Sequence, residues 1–266
     1  MAVDLNVADA IATITINRPE ALNALDIDAQ HQLRSHLISA RDDDAVRVVI
    51  LTGFGDRAFC AGADLKRTPP SSDPYARAWT ASDQLAMERG AYVRFLNLEP
   101  LKLWKPLIAA VNGYCLGGGL ELALQCDLRV ASTTASFALP EVTVGSVAGV
   151  CGPLLLRAVP HAHAMKMLLT GSRIDAAGAL RIGLVSDVWP AEDLMSKTTE
   201  LALRIAANAP LSVTATKRLS RESETLSRAA LADMTEVVFG MLKDTRDRAE
   251  GRRAFAEKRP PKFTGR

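Results

Sequence analysis

Apolar and polar positions alternate from Val3 to Ile16, with Ala12, Ile14 and Ile16 set against Thr13 and Thr15. A period of two marks a half-buried strand, and Ala8-Asp9-Ala10 breaks it as a turn, so the segment predicts a hairpin. After Asn17-Arg18-Pro19 the period lengthens, and Ala29, Leu33, Leu37 and Ala40 recur at helical spacing. The continuous apolar run from Val46 to Leu51 then reads as a buried strand. A loop with Gly53-Phe54-Gly55 follows, and the short apolar piece Ala58-Phe59-Cys60-Ala61 runs into Gly62-Ala63-Asp64. The stretch Pro69-Pro70-Ser71-Ser72-Asp73-Pro74 excludes regular structure and predicts a mobile loop.

Further along, the pattern predicts a helix ending near Pro100, a strand Leu107 to Val111, a glycine turn, a helix Leu120 to Cys126 and a strand Leu128 to Ala131. Strand and helix alternate, which favours an α/β core. Beyond about residue 190 the strand pattern stops. Leu226, Ala230, Met234, Val237, Val238 and Met241 form an apolar stripe at helical spacing. The chain therefore divides into an α/β core over residues 1–190 and a helical region over 191–266. No repeat of solenoid period is present.

Bulk properties narrow the partners. The 266 residues carry 32 Lys and Arg against 30 Asp and Glu, a net charge of +2 that gives no reason to invoke nucleic acid or a membrane surface. Cys60, Cys115, Cys126 and Cys151 lack CxxC spacing, so free thiols in a reducing compartment are expected rather than a zinc site or a disulfide framework. The opening Met1-Ala2-Val3-Asp4-Leu5 has no basic leader, and no apolar run approaches the roughly 18 residues that span a bilayer. A cytoplasmic location is the expectation.

The most informative stretch is Val111-Asn112-Gly113-Tyr114-Cys115-Leu116-Gly117-Gly118-Gly119-Leu120-Glu121, which leaves a buried strand and enters a helix. Glycine packs nothing and costs entropy, so consecutive glycines mark a backbone with unusual angles or a close approach to a ligand. A helix start offers unpaired N–H groups that favour a phosphate or a developing oxyanion. The dinucleotide fingerprint fails because Leu122 stands where a third motif glycine is required, and a P-loop fails because no Gly-Lys-Ser/Thr follows. A structural turn and an oxyanion site remain. The second of these needs another donor and a proton-transfer group; Gly62-Ala63 at a second strand end, Glu121 on the same helix and Glu141 after Phe137-Ala138-Leu139-Pro140 are in place to supply them.

At these residues the chain resembles the enoyl-CoA hydratase/isomerase, or crotonase, family along nearly its whole length. The resemblance rests on Asn17-Arg18-Pro19-Glu20-Ala21-Leu22-Asn23-Ala24-Leu25, on Ala58 to Asp64, and on Lys105-Pro106 through the glycine turn to Glu121. It continues in Cys126-Asp127-Leu128-Arg129, Leu139-Pro140-Glu141, Leu169-Thr170-Gly171, Gly183-Leu184-Val185 and Phe255-Ala256-Glu257-Lys258-Arg259. The resemblance implies a crotonase-like spiral of ββα units with C-terminal helices that build trimers, often paired as hexamers. It implies an oxyanion hole from the N–H groups of Ala63 and Gly118, and it sets the family's two hydratase glutamates on Glu121 and Glu141. Glu121 would be the base that takes a proton from water, and Glu141 the acid that protonates the α-carbon. The coenzyme A part of an acyl-CoA substrate would lie along Ala61, Ala63, Asp64 and Leu65, with Lys258 and Phe255 covering its adenine end. No metal or other cofactor is implied.

The implied reaction is reversible addition of water to a 2-enoyl-CoA. The alternatives are a double-bond isomerase or another crotonase-type lyase with a single glutamate shuttle, and a non-catalytic acyl-CoA-binding subunit. Gly145-Ser146-Val147-Ala148-Gly149-Val150-Cys151-Gly152-Pro153-Leu154-Leu155-Leu156 departs from the family pattern, which has Pro at Ala148, Gly at Cys151 and Thr-Gln-Arg at Pro153-Leu154-Leu155. That segment borders the acyl group in the family, so the departure bears on the acyl chain. Cys151 reads as a small buried thiol, and His161 and His163 as helix residues pointing apart. Trp79, Tyr92 and Trp104 read as core or as acyl-pocket lining.

Overall fold

A computed structural model describes residues 1–64, 80–82, 85 and 96–266. The chain opens with the expected hairpin, β1 (Val3–Ala8) and β2 (Ile11–Ile16), paired antiparallel from Val3↔Ile16 to Ala8↔Ile11. Asp9 and Ala10 form its two-residue loop with φ of 51° and 64°, the left-handed pair whose twist matches that of the flanking strands. Helix α1 (Ile27–Asp42) starts at Asp26, whose carboxylate accepts from Ala29 N at 2.9 Å, and buries Ala29, Leu33, Leu37 and Ala40. β3 (Val48–Gly53) is buried throughout and lies two residues later than the apolar run predicts. Its register against β2, from Ile11↔Val48 to Ile16↔Gly53, carries it to Gly53.

From here the chain deals strands alternately to two sheets. β3, β5 (Leu107–Val111), β7 (Leu128–Ser132) and β10 (Asp187–Trp189) join the hairpin in a six-stranded sheet of order β1-β2-β3-β5-β7-β10. β4 (Ala58–Cys60), β6 (Tyr114–Leu116), β8 (Ser136–Ala138) and β9 (Ile174–Asp175) form a four-stranded sheet in sequence order. Each of the pairs β3/β4, β5/β6 and β7/β8 places one strand in each sheet, and the strands so added run parallel to their neighbours. This is the repeating strand-pair advance of the expected spiral.

Helix α2 (Gly118–Leu124) leaves the end of β6 and packs on β4. The approach is backbone to backbone, because a methyl group added at Gly119 would fall 2.1 Å from the Cys60 carbonyl oxygen. The short α3 (Leu155–Ala158), α4 (His161–Thr170) and α5 (Ala176–Arg181) continue the chain around the second sheet. Helix α6 (Leu194–Ala206) covers one face of the large sheet with Leu194, Ala202 and Ala206, over Val48, Ile50, Ile108, Ala110 and Val130. The opposite face builds the main core with α1 and α2.

Among the described residues the remaining α-helices are α7 (Pro210–Glu222), α8 (Arg228–Lys243) and α9 (Arg246–Ala256). The stripe read from the sequence falls on α8 and its approach, yet no α8 residue is buried, and Val237, Phe239 and Met241 are exposed by 63%, 60% and 68%. The helix is there, but its apolar face is not spent within the chain. Among the described residues no helix is long and apolar enough to cross a membrane. The Pro69–Pro74 loop, Trp79, Tyr92, Leu65 and most of the helix expected before Pro100 lie outside the described residues; Glu99–Leu101 forms a 3-10 turn.

Candidate active site

The ends of β4 and β6 bring two backbone segments together. Ala61 to Asp64 is stitched to the Leu22–Leu25 strand-like segment: Ala61 N donates to Leu22 O at 3.1 Å, Leu25 N to Gly62 O at 2.8 Å, and Asp64 N to Leu25 O at 3.0 Å. Gly62 takes φ +96°, and a methyl group placed there would fall 3.1 Å from Gly118 N. One placed on Gly118 would lie 3.8 Å from Ala63 N. The two N–H groups named from the sequence, Ala63 and Gly118, are therefore neighbours. Neither has an acceptor among the described residues.

Below the turn stand the carboxylates. Glu121 is 4% exposed in the first turn of α2, with its amide bonded to Gly117 O at 3.0 Å. Its Oε1 accepts three backbone N–H groups, from Val150 at 2.8 Å, Cys151 at 2.8 Å and Gly152 at 2.9 Å. Charge-assisted bonds of this kind hold a carboxylate in one orientation. Sequence reasoning placed the 145–156 segment beside the acyl group and missed this role; backbone donors leave no side-chain signature, and Gly152 was the one available hint.

Glu141 reaches the same region from the second sheet. It opens the 3-10 turn Glu141–Val144 behind Pro140, and its Oε1 would lie 3.1 Å from a methyl group at Gly117. Gly117 itself has φ +54° and ψ −129°, a region that other residues rarely enter. Glu141 Oε2 is buried without a hydrogen-bond partner among the described residues. Burial first, and then the charge of Glu121, raise the Glu141 carboxyl above the ordinary range.

The same scheme matches known proteins. The family model described as enoyl-CoA hydratase/isomerase matches residues 6–266. The chain belongs to this family. It is 44% identical over 266 residues, covering 100% of both chains, to an (E)-benzylidenesuccinyl-CoA hydratase of Thauera aromatica. It is 37% identical to a crotonyl-CoA hydratase of Syntrophomonas wolfei, covering 96% of this chain and 95% of that one. The crystal structure of an enoyl-CoA hydratase from Bacillus anthracis superposes with a TM-score of 0.89 at 34% identity, covering 100% of both chains. The α/β architecture is thus the crotonase-like fold, and the protein is an enzyme of the hydro-lyase type.

Other residues singled out in this family member fall as follows. Asp64 is 9% exposed, and its carboxylate meets the buried Arg18 guanidinium at 2.9 Å, so its side chain is committed to the protein. Arg18 also pairs with Asp26 at 3.0 Å and donates to Ala24 O, an arrangement that fixes the Leu22–Leu25 segment under Ala61 to Asp64. Lys258 is exposed just past α9, and no hydrogen bond or ion pair ties it to Ala61–Asp64 among the described residues. Phe255 is 85% exposed. All four cysteines are free and buried, and desolvation pushes the thiols of Cys60, Cys126 and Cys151 up to about 12. His161 and His163 are exposed on α4.

Val150 and Cys151 also line a cavity of 440 Å³, together with Leu98, Leu103, Trp104, Gln125 and Leu154. Lys217 and Arg221 line it as well, and Lys217 pairs with Asp127 at 2.7 Å. Trp104 is half-buried with the Arg218 guanidinium 5.5 Å from its ring centre.

Proposed function

We propose that this enzyme adds water reversibly to the double bond of a 2-enoyl-CoA, giving a 3-hydroxyacyl-CoA. The observation that carries the proposal is the pairing of two N–H groups without an acceptor among the described residues, those of Ala63 and Gly118, with two carboxylates at the same turn. In this reading the thioester carbonyl sits between those donors, which stabilise the enolate-like oxygen as water attacks the β-carbon. A preorganised donor of this kind contributes about 3–4 kcal/mol to the transition state.

The two glutamates divide the proton work. Glu121, anchored through Oε1, keeps Oε2 for the water and accepts its proton. Glu141, whose raised carboxyl retains its proton more readily, delivers one to the α-carbon. The reverse reaction exchanges the roles. The coenzyme A moiety runs along Ala61, Ala63, Asp64 and Leu65, reading backbone groups because the Asp64 carboxylate is already engaged. Lys258 approaches the adenine end from the same or a neighbouring subunit. No metal or redox group takes part.

The helical region over 191–266 serves assembly in this reading, as a trimer or a pair of trimers. The unspent stripe of α8, with Val237 and Met241, supports that role. The proposed setting is the cytoplasm. The relatives' names span a small acyl group and a bulky aromatic one, so a panel of straight, branched and aromatic enoyl-CoA thioesters, followed by loss of enoyl-thioester absorbance, is the direct test. Hydration of at least one is expected; tight binding of all with turnover of none would overturn the proposal.

A further inference from the structure

Gln125 caps the C-terminal end of α2, one turn beyond Glu121, and is 8% exposed. Its single amide serves three backbone groups. Nε2 donates to Leu96 O at 3.0 Å and to Glu121 O at 3.2 Å, and Oε1 accepts from Leu98 N at 2.7 Å. The orientation is fixed by chemistry, since a flipped amide would set its NH2 against the Leu98 N–H, donor against donor. Pairing with both Leu96 O and Leu98 N imitates one rung of a strand ladder, and it binds that short segment to the helix carrying Glu121.

What the clamp holds in place is specific. Leu96 is 2% exposed, and its Cδ1 lies 3.2 Å from where a methyl group on Gly118 would stand, at the residue whose N–H is proposed to bind the thioester. Leu98 lines the 440 Å³ cavity together with Val150 and Cys151, the residues whose amides hold Glu121.

We propose that Gln125 is a positioning residue for the acyl group: its amide sets Leu96 over Gly118 and Leu98 along the cavity wall, so that acyl contact and Glu121 orientation are referred to one helix. The inference rests on the reading that Ala63 and Gly118 bind a thioester. It assigns acyl selectivity to a polar residue through the segment it holds, Gln125 itself also bordering that cavity.

The test compares wild type with Gln125→Met, which keeps length and loses all three bonds, and with Leu96→Ala. Hydrogen exchange at the Leu98 amide is expected to quicken roughly tenfold or more in Gln125→Met, the amide having lost its acceptor. Affinity for saturated acyl-CoA thioesters of increasing length should change its dependence on length, while affinity for free coenzyme A stays as in wild type. With enoyl thioesters, kcat/KM should fall by about 10- to 100-fold, as misplacement near a reacting centre does. Leu96→Ala should reproduce the altered length dependence, and the double variant should add little to it. Unchanged Leu98 exchange, an equal loss for every acyl length, or a Leu96→Ala profile identical to wild type would each overturn the proposal. Should Gln125→Met not fold, Gln125→Asn, which keeps an amide but is one methylene too short to make all three bonds, takes its place in each comparison. Absence of hydration by the wild type would strike the proposed reaction instead, while exchange and acyl-CoA affinity continue to report on the clamp.

Discussion

Gly152 N lies 2.9 Å from Oε1 of Glu121, the third backbone amide to converge on that one oxygen. The carboxylate is held by main chain from a segment about 30 residues further on, and these three bonds leave its second oxygen out of the anchor. Replacing Glu121 by Gln keeps the shape and removes the proposed base. A fall in kcat of about 10²- to 10⁴-fold, with thermal stability near that of wild type, is expected from the loss of a general base. Full turnover by both Glu121→Gln and Glu141→Gln would sink the two-carboxylate mechanism.

Gly152 offers a complementary change. A methyl group added there would stand 2.4 Å from Ala148 Cβ, so Gly152→Ala must displace the 148–152 segment and with it the three donors. Overpacking of this kind costs roughly 1–3 kcal/mol. Lower kcat than the stability loss explains, measured at full folding, is the expected outcome; wild-type kcat would contradict the anchoring role.

Glu141 makes a prediction about pH. Its carboxyl is raised by burial first and by Glu121 second, so the protonated form persists to higher pH than in an exposed glutamate. A raised carboxyl costs the folded state stability once ionised. The cost appears as pH rises from the ordinary carboxylate value through the raised one, and is absent below both. Glu141→Gln should therefore be more stable than wild type to urea at neutral pH, with the difference closing in acid. Titration of Glu141 by NMR in Glu121→Gln should show a lower pKa than in wild type; an unmoved value would mean that the two carboxylates do not sense each other.

Arg18 supports the Ala61–Asp64 segment from beneath, paired with Asp26 and Asp64 at 3.0 and 2.9 Å. Arg18→Met would leave the buried Asp64 and the half-buried Asp26 carboxylates without this cation. Breaking buried pairs one-sidedly costs about 3–5 kcal/mol. Chemical denaturation is the check, and a change below about 1 kcal/mol, the range of exposed ion pairs, would show that the pair is not buried in solution.

The thiols give a simple readout of packing. With Cys60, Cys126 and Cys151 pushed up to about 12 and Cys115 well above its ordinary value, almost no thiolate exists at neutral pH. Alkylation should be slow in the folded protein and rapid in denaturant. Fast labelling of Cys151 alone would indicate that the segment beside Glu121 opens.

The sequence spoke most clearly where one period or one residue type dictated the outcome. The hairpin, α1 and the β5-to-α2 turn follow from alternation, helical spacing and three adjacent glycines, and they appear within two residues of where the pattern sets them. Ala63 and Gly118 were found through resemblance, and the fold makes them neighbours. Less legible were contacts made by main chain, such as the amides on Glu121, because any residue supplies an N–H. Gln125 and Arg18 were likewise silent, since a buried polar side chain is recognised only when its partners, 29 and 46 residues away, are seen beside it. The α8 stripe was visible, yet its period alone does not say that the face would be left open.

The contact between Gly119 and the Cys60 carbonyl has a wider meaning. It fixes the distance between β4 and α2 with atoms that every residue carries, so the pair of N–H groups at Ala63 and Gly118 is set by a backbone gauge. The carboxylates arrive separately, one as a side chain on the helix and one from a later turn. On the proposed reading, exchange of Glu121 or Glu141 for another residue would redirect the chemistry while the frame of N–H groups keeps its dimensions, which would make the frame a reusable part and the glutamates its interchangeable tools.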